Sequence, residues 1–339
     1  MIEVIFTLDY EIYGNGEGSL IKSVFEPAEK LQTIFNKWNA RFVIFPDVAE
    51  LEMIEANSAD PAIELIKKQL RDFHREEYEI GLHIHPWWYN ARREKGQWVL
   101  DQTEYNLCTQ PLERISQIVD RAIAYTRKLL GAPDFTPISF RAGHLLFQPT
   151  QPLGDVLAER GIRLDSSVYK GGLWRQHTLD YRRAPKGAYY WKFREDVTTP
   201  DPQGALLEVP LYTQQVPIWK LFTSKRVGLQ QTGASAKQAG RKMISRFSDF
   251  MRVRYPLKFD LGQMTKREMV YMMNGIIREG QKNPSMYRPI VAIIHTKDPI
   301  EFDAVDSVLD GLDKSRIKVS TFGDVYCKSK TLHERGDGK

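Results

Sequence analysis

Two carboxylates and two histidines close early apolar runs of the chain in a pattern that could do chemistry. Asp9 and Glu11 end "IEVIFTLDYE", and His83 and His85 end "YEIGLHIH". Residues two apart on a strand point the same way, so both imidazoles can reach one ion. Neutral imidazole suits zinc and similar metals, and an Asp or Glu commonly completes such a set with positions left open for water. A hydrogen-bonded core histidine beside a solvent-facing one would fit the same spacing. Two carboxylates on one strand end can divide their work, one holding metal and the other taking a proton from water; a solvated strand end is the plain alternative. Arg141 closes "PISFR", Asp165 closes "IRLD" and His295 closes "IVAIIH". Arg141 could fix a carboxylate by a two-pronged contact. Asp165 could orient an imidazole or start a turn, and His295 could be a satisfied core histidine.

Something must bring these strand ends together. "IEVIFTL", "RFVIF", "YEIGLHIH", "PISF", "IRLDSSV", "ALLEVPLY", "PIVAIIH" and "IKVSTF" read as strands. Helical patterns lie between several of them. The spacing of Leu31, Ile34 and Phe35 after Pro27 predicts one, residues 61–76 another, and a long amphipathic stretch closed by Gly131 a third. Further helices are predicted near 151–161 and 301–313. This alternation implies a parallel sheet, and seven or eight repeats suggest closure into a barrel whose strand ends share one rim. An open doubly wound sheet is the runner-up. The dinucleotide fingerprint is missing, because Gly14, Gly16 and Gly18 are spaced G-x-G-x-G with no helix directly after them.

The 339 residues suit one large α/β domain with insertions or two ordinary ones. With 42 % apolar and 27 % charged residues, the chain can bury a sizeable core. A net charge of +5 does not imply nucleic acid as a partner. Two cysteines, Cys108 and Cys327, exclude a disulfide framework. No run approaches the length of a membrane span, about 20 apolar residues. The strand-like start lacks the marks of a signal peptide, so the cytoplasm is the expected compartment.

The order "TLDYE", "EIGLHIH", "FRAGH", "LDSSV" and "IIHTKD" resembles the NodB-homology polysaccharide deacetylases, carbohydrate esterase family 4. The resemblance covers residues 1 to about 168 and 289 to 325, and residues 169–288 match nothing in it. It implies a distorted (β/α)7 barrel, one domain throughout with an insertion at about 170–288, and removal of N-acetyl groups from sugars with one divalent metal, zinc being the expected ion. It also implies roles. Asp9 is the catalytic base and Arg141 holds it. His295 is the general acid and Asp165 tunes it. His83 is a metal ligand. Two positions depart from the pattern: Tyr10 replaces the second of two adjacent aspartates, and Trp87 stands where a second histidine would fall. Sliding those ligands gives Glu11, His83 and His85 as the metal set. Tyr10, through its backbone N–H, and Trp87 then become substrate-binding candidates, and "YGNGEGS" a loop over the site.

The expected partner is an N-acylated sugar or polysaccharide precursor. Competing readings are a glycoside hydrolase, with Asp9 and Asp165 flanking the bond, and a noncatalytic carbohydrate-binding protein that stacks sugars on Trp87, Trp88 and Trp174. Residues 216–258 hold ten Lys or Arg against one acid, Asp249. Arg241, Met243, Ile244, Phe247 and Met251 suggest a helix with an apolar and a basic side. Such a helix could lie on an anionic membrane surface, here the inner membrane. An acidic glycan held in a groove is the alternative.

Overall fold

The computed structural model describes residues 1–217, 254–315 and 317–334. β1 (Ile2–Tyr10) is followed by α1 (Glu26–Lys37), with Pro27 in its first turn. β2 (Val43–Pro46), α2 (Val48–Ala56), α3 (Ile63–Arg75) and β3 (Leu82–Ile84) come next. A hairpin, β4 (Arg92–Glu94) and β5 (Gln97–Val99), precedes α4 (Leu112–Leu130), which Gly131 ends in the left-handed region at φ 67°. β6 (Ser139–Ala142), α5 (Leu153–Glu159) and β7 (Leu164–Asp165) follow. Short strands then succeed one another: β8 (Leu173–Trp174), β9 (Leu179–Asp180), β10 (Trp191–Phe193), β11 (Leu206–Glu208), β12 (Thr213–Pro217) and β13 (Arg254–Lys258). α6 (Lys266–Lys282) starts with a Thr265–Glu268 capping box. It leads to β14 (Arg288–His295), α7 (Phe302–Lys314), β15 (Lys318–Val319) and α8 (Phe322–Glu334).

This is a mixed α/β fold with parallel sheets. β1 pairs in parallel with β14, β2 and β15. Partners on both edges explain why its β-branched run is buried almost end to end. A second sheet runs β10, β11, β7, β6, β3, parallel except for β10. Isolated parallel bridges, Ile44–Ile80 and Asp47–His83, lie between β2 and β3, and Leu211–Val291 joins the stretch after β11 to β14. The helices cover the sheets largely with the faces their spacing predicts, although Ile34 of α1 is only half-buried. α1 buries Ala28, Leu31 and Phe35, and Phe35 packs edge-on against Phe6 (5.1 Å) and Phe42 (5.0 Å).

Register does the positioning. Asp9 pairs with His295 across β1–β14, His83 with Arg141 across β3–β6, and Phe140 with Asp165 across β6–β7. The strand ends singled out in the sequence therefore lie along one edge. The elements not anticipated are α2, α8, the β4–β5 hairpin and the short strands β8, β9, β10, β12 and β13. Of the basic stretch 216–258, only Val216, Pro217 and 254–258 are described, so the amphipathic helix expected around Arg241–Met251 lies outside the described residues. No helix among the described residues is long and apolar enough to cross a membrane.

Candidate functional site

β1 delivers Asp9 and Glu11 into a buried polar cluster, each no more than 4 % exposed. Arg141, fully buried at the end of β6, donates from Nη1 to Asp9 Oδ1 and to Thr7 Oγ1 (2.8 Å). Its Nε donates to Ser166 O (3.1 Å), and its guanidinium lies 4.4 Å from the centre of the Phe45 ring. The two-pronged grip expected on Asp9 is thus a single prong, the rest of the fork being spent on Thr7 and Ser166. Burial pushes the Asp9 carboxyl up, but Arg141 first, then His295 and His83, outweigh it and hold the group below its usual range.

Glu11 divides its carboxylate. Oε1 takes the ammonium of Lys297, while Oε2 faces Nε2 of His85 at 3.1 Å and Nε2 of His83 at 3.6 Å. Burial would raise Glu11, yet Lys297 and the two histidines keep it well below the carboxylate norm. His83 Nδ1 lies 2.8 Å from Arg141 O. A carbonyl only accepts, so Nδ1 carries the proton and donates it. When that ring is neutral, Nε2 is a lone pair. This atom is buried and has no hydrogen-bond partner among the described residues. In the absence of an ion, burial lowers His83, but Glu11 and Asp9 prevail and raise it to about 9. His85 packs on Trp87 (5.5 Å, 22° between planes), and its Nδ1 lies 3.1 Å from Nε2 of His144. Burial and His85 depress His144 well below the ordinary imidazole value.

Ligand atoms of Glu11, His83 and His85 lie within 4.8 Å of one another. Two imidazoles and one carboxylate, with an orphaned imidazole nitrogen aimed at the carboxylate, fit a divalent ion of the zinc type. Asp9–Glu11–His295 and Asp260–His295–Asp298 meet the same distance criterion.

His295 ends β14 with its side chain 18 % exposed. Nε2 stands 3.5 Å from Asp9 Oδ2, and Nδ1 stands 3.5 Å from Asp298 Oδ2 without making a hydrogen bond. Asp165 is engaged elsewhere. It accepts from Ser167 N (3.0 Å) and Ser167 Oγ (2.7 Å) and adjoins Glu208, its register partner. The carboxylates grouped with His295 are instead Asp9, Glu11, Asp260 and Asp298. Sheet neighbours account for this, since Asp260 bridges Ile293, two residues before His295.

The side chains of Tyr10 and Trp87 are turned inward. Tyr10 is fully buried and donates its hydroxyl to Gln69 Oε1 (2.6 Å), while Trp87 is 3 % exposed behind His85. Trp88, also expected as a stacking surface, is 1 % exposed. The glycine loop packs on these rings: a Cβ on Gly14 would sit 3.6 Å from Trp87, and Gly16, at φ 78°, presses on Trp98. Sequence reasoning passed over Asp47, Lys297, Asp298, Asp260 and His144. "FRAGH" and "IIHTKD" contained three of them, so adjacency to Arg141 and His295 was the available signal.

Neither family models nor curated proteins match this sequence. Solved structures do match its fold. A Mycobacterium smegmatis protein assigned as a polysaccharide deacetylase superposes with a TM-score of 0.55 at 13 % identity, over 98 % of this chain and 91 % of that one. The Puue allantoinase gives 0.52 at 11 % identity over 98 % and 90 %. A GH57-type branching enzyme from Pyrococcus horikoshii gives 0.51 at 10 % identity over 95 % and 69 %. At these identities the likeness is one of fold.

Proposed function

We propose that the chain is a metal-dependent hydrolase that removes an N-acyl group, in the first instance N-acetyl, from a sugar or polysaccharide precursor. The observation that carries this reading is the setting of Asp9. It lies between a guanidinium that keeps it ionised and an imidazole that can carry a proton, directly beside the Glu11–His83–His85 set. Those three residues would hold the ion, zinc being the expected one. When bound there, it supplies Lewis acidity for the scissile carbonyl and acidifies water.

The remaining steps belong to the chain itself. Asp9 Oδ1 is committed to Arg141, so Oδ2 is the oxygen that accepts the proton of the attacking water. His295 faces that oxygen and delivers a proton to the departing amine. Asp298, at its other nitrogen, and the neighbouring Asp260 take the orienting part expected of Asp165. Lys297 holds Glu11 by one oxygen, which leaves the other for the ion.

The isolated bridges between β2 and β3, and between Leu211 and β14, support reading the two sheets as one distorted (β/α)7 barrel. The insertion expected at 170–288 in a single domain is then interrupted, because β11 and Leu211 within that range pair with β7 and β14. Glycosidic cleavage is the second reading, favoured by fold likeness to a branching enzyme, but it leaves the His83–His85 pair without a task. A purely carbohydrate-binding role loses two of its three expected rings with Trp87 and Trp88 buried, and keeps only the half-buried Trp174. Cytoplasmic location, and membrane contact through 216–258, rest on sequence alone.

Incubation of the purified protein with N-acetylated amino sugars and their oligomers, before and after chelation, tests the proposal. Acetate release that stops with chelator and returns with zinc is the expected outcome. Shortened glycans without acetate would transfer the site to glycoside hydrolysis.

A further inference from the structure

His144 belongs to no part of the mechanism above, yet the backbone is built to bring it to the site. It sits at φ 55° and Leu145 follows at φ 61°, two non-glycine residues in a left-handed conformation that costs energy. Gly143 before them has no room for a side chain. A Cβ there would lie 2.6 Å from Ile84 O and 3.0 Å from His85 Nδ1. The turn therefore closes tightly over β3, and its outcome is the 3.1 Å approach of His144 Nε2 to His85 Nδ1.

The ring is also clamped. Tyr105 stacks on its face at 4.3 Å with 6° between planes, His177 stacks behind Tyr105 at 4.1 Å, and Trp87 meets His144 edge-on at 4.7 Å. A ring gripped on face and edge has one orientation in which to meet its partner.

We propose that His144 is a positioning residue for His85: in the metal-loaded protein His85 donates its Nδ1–H to Nε2 of His144, leaving His85 Nε2 as a lone pair toward the ion. The inference rests on the metal reading above. It makes the two histidines of "HIH" parallel cases, each with Nδ1–H held by an acceptor, Arg141 O for His83 and an imidazole for His85. Such outer partners fix ring orientation and tautomer and raise ligand basicity. They also bear on the metal-free state. There, Glu11 Oε2 can only accept, so a neutral His85 has its proton on Nε2 and takes a hydrogen bond from His144 at Nδ1. Loading the ion exchanges the tautomers of both rings, with the same number of protons on the pair before and after.

The test uses purified full-length protein, Zn²⁺ affinity by competition with a chelating dye, and the visible spectrum of the Co²⁺-substituted form. His144→Leu keeps bulk against Tyr105 and removes the acceptor; its affinity should fall about 10- to 100-fold and its Co²⁺ bands should change. His144→Gln restores an acceptor oxygen and should recover affinity to within about threefold of the parent. A folded His144→Leu protein with parental affinity and an unchanged Co²⁺ spectrum overturns the proposal while leaving the metal reading intact. A parent protein that binds neither ion overturns both. Imidazole ¹⁵N spectra of the zinc-loaded parent decide the matter without any variant: Nδ1–H on His85 with an unprotonated Nε2 on His144 is expected, and Nε2–H on His144 overturns the assignment.

Discussion

The two flanks of Asp9 are built to opposite specifications. Arg141 on one side is fully buried, with hydrogen bonds to Asp9, Thr7 and Ser166 and a phenylalanine ring beneath it. His295 on the other side is partly open to solvent, 3.5 Å from Asp9 and 3.5 Å from Asp298, with Nδ1 lacking a hydrogen bond among the described residues. A guanidinium cannot release its proton in this range and an imidazole can. One flank thus fixes the charge and position of the carboxylate, and the other is loose enough to move a proton.

Arg141→Met breaks the comparison most severely. It leaves Asp9 buried without its cation, and breaking a buried pair from one side costs about 3–5 kcal/mol. Urea unfolding of the metal-free protein should show that loss. A variant within about 1 kcal/mol of the parent would mean that Asp9 finds its compensation elsewhere.

His295→Gln should separate the flanks. Its side chain is at the edge of the core and makes no hydrogen bond through Nδ1 among the described residues, so the unfolding midpoint should hold. Turnover of an N-acetylated substrate should fall about 10²- to 10⁴-fold, the range for a general acid or base. Turnover within a few-fold of the parent would remove His295 from proton transfer.

How much of this could be read in the sequence depends on what positions each residue. Asp9 and His295 were legible because two long apolar runs end in register, and a parallel ladder needs nothing more to set their ends side by side. α2 was hidden because it starts directly after β2 with no loop between. Its cue was the Asp47 cap followed three residues later by Glu50, whose backbone N–H it accepts. The assignment of Asp165 to His295 failed for a reason that spacing cannot reveal. Asp165 sits on β7 beside Arg141 and Glu208, while the β14 edge at His295 is completed by Asp260, which follows β13 without a helix between them. Lys297 and Asp298 follow His295 directly, and only the turn after β14 decides that they face back into the site.

The smallest effect expected sharpens the rigid flank. Glu208 pairs in register with Asp165 behind Arg141 and is fully buried; Oε1 accepts from Val168 N (3.1 Å), and Oε2 accepts no hydrogen bond among the described residues. A proton on Oε2 resolves that orphan by giving it a donor toward Asp165. Burial first, then the charge of Asp165 and this hydrogen bond, raise Glu208 well above the ordinary carboxyl value. For a carboxyl raised on folding, the stabilising contribution is complete below the unfolded value and is lost as pH rises through the folded one. Glu208→Gln keeps the shape and supplies an N–H donor that cannot ionise. At pH 4 parent and variant should melt within a few degrees of each other, a gap of under about 1 kcal/mol. As pH rises from the ordinary carboxyl value toward the raised folded value of Glu208, the variant should gain on the parent. Parallel melting curves from pH 4 to pH 9 would mean that the Glu208 carboxyl titrates alike in the folded and unfolded chain, and that burial beside Asp165 does not raise it.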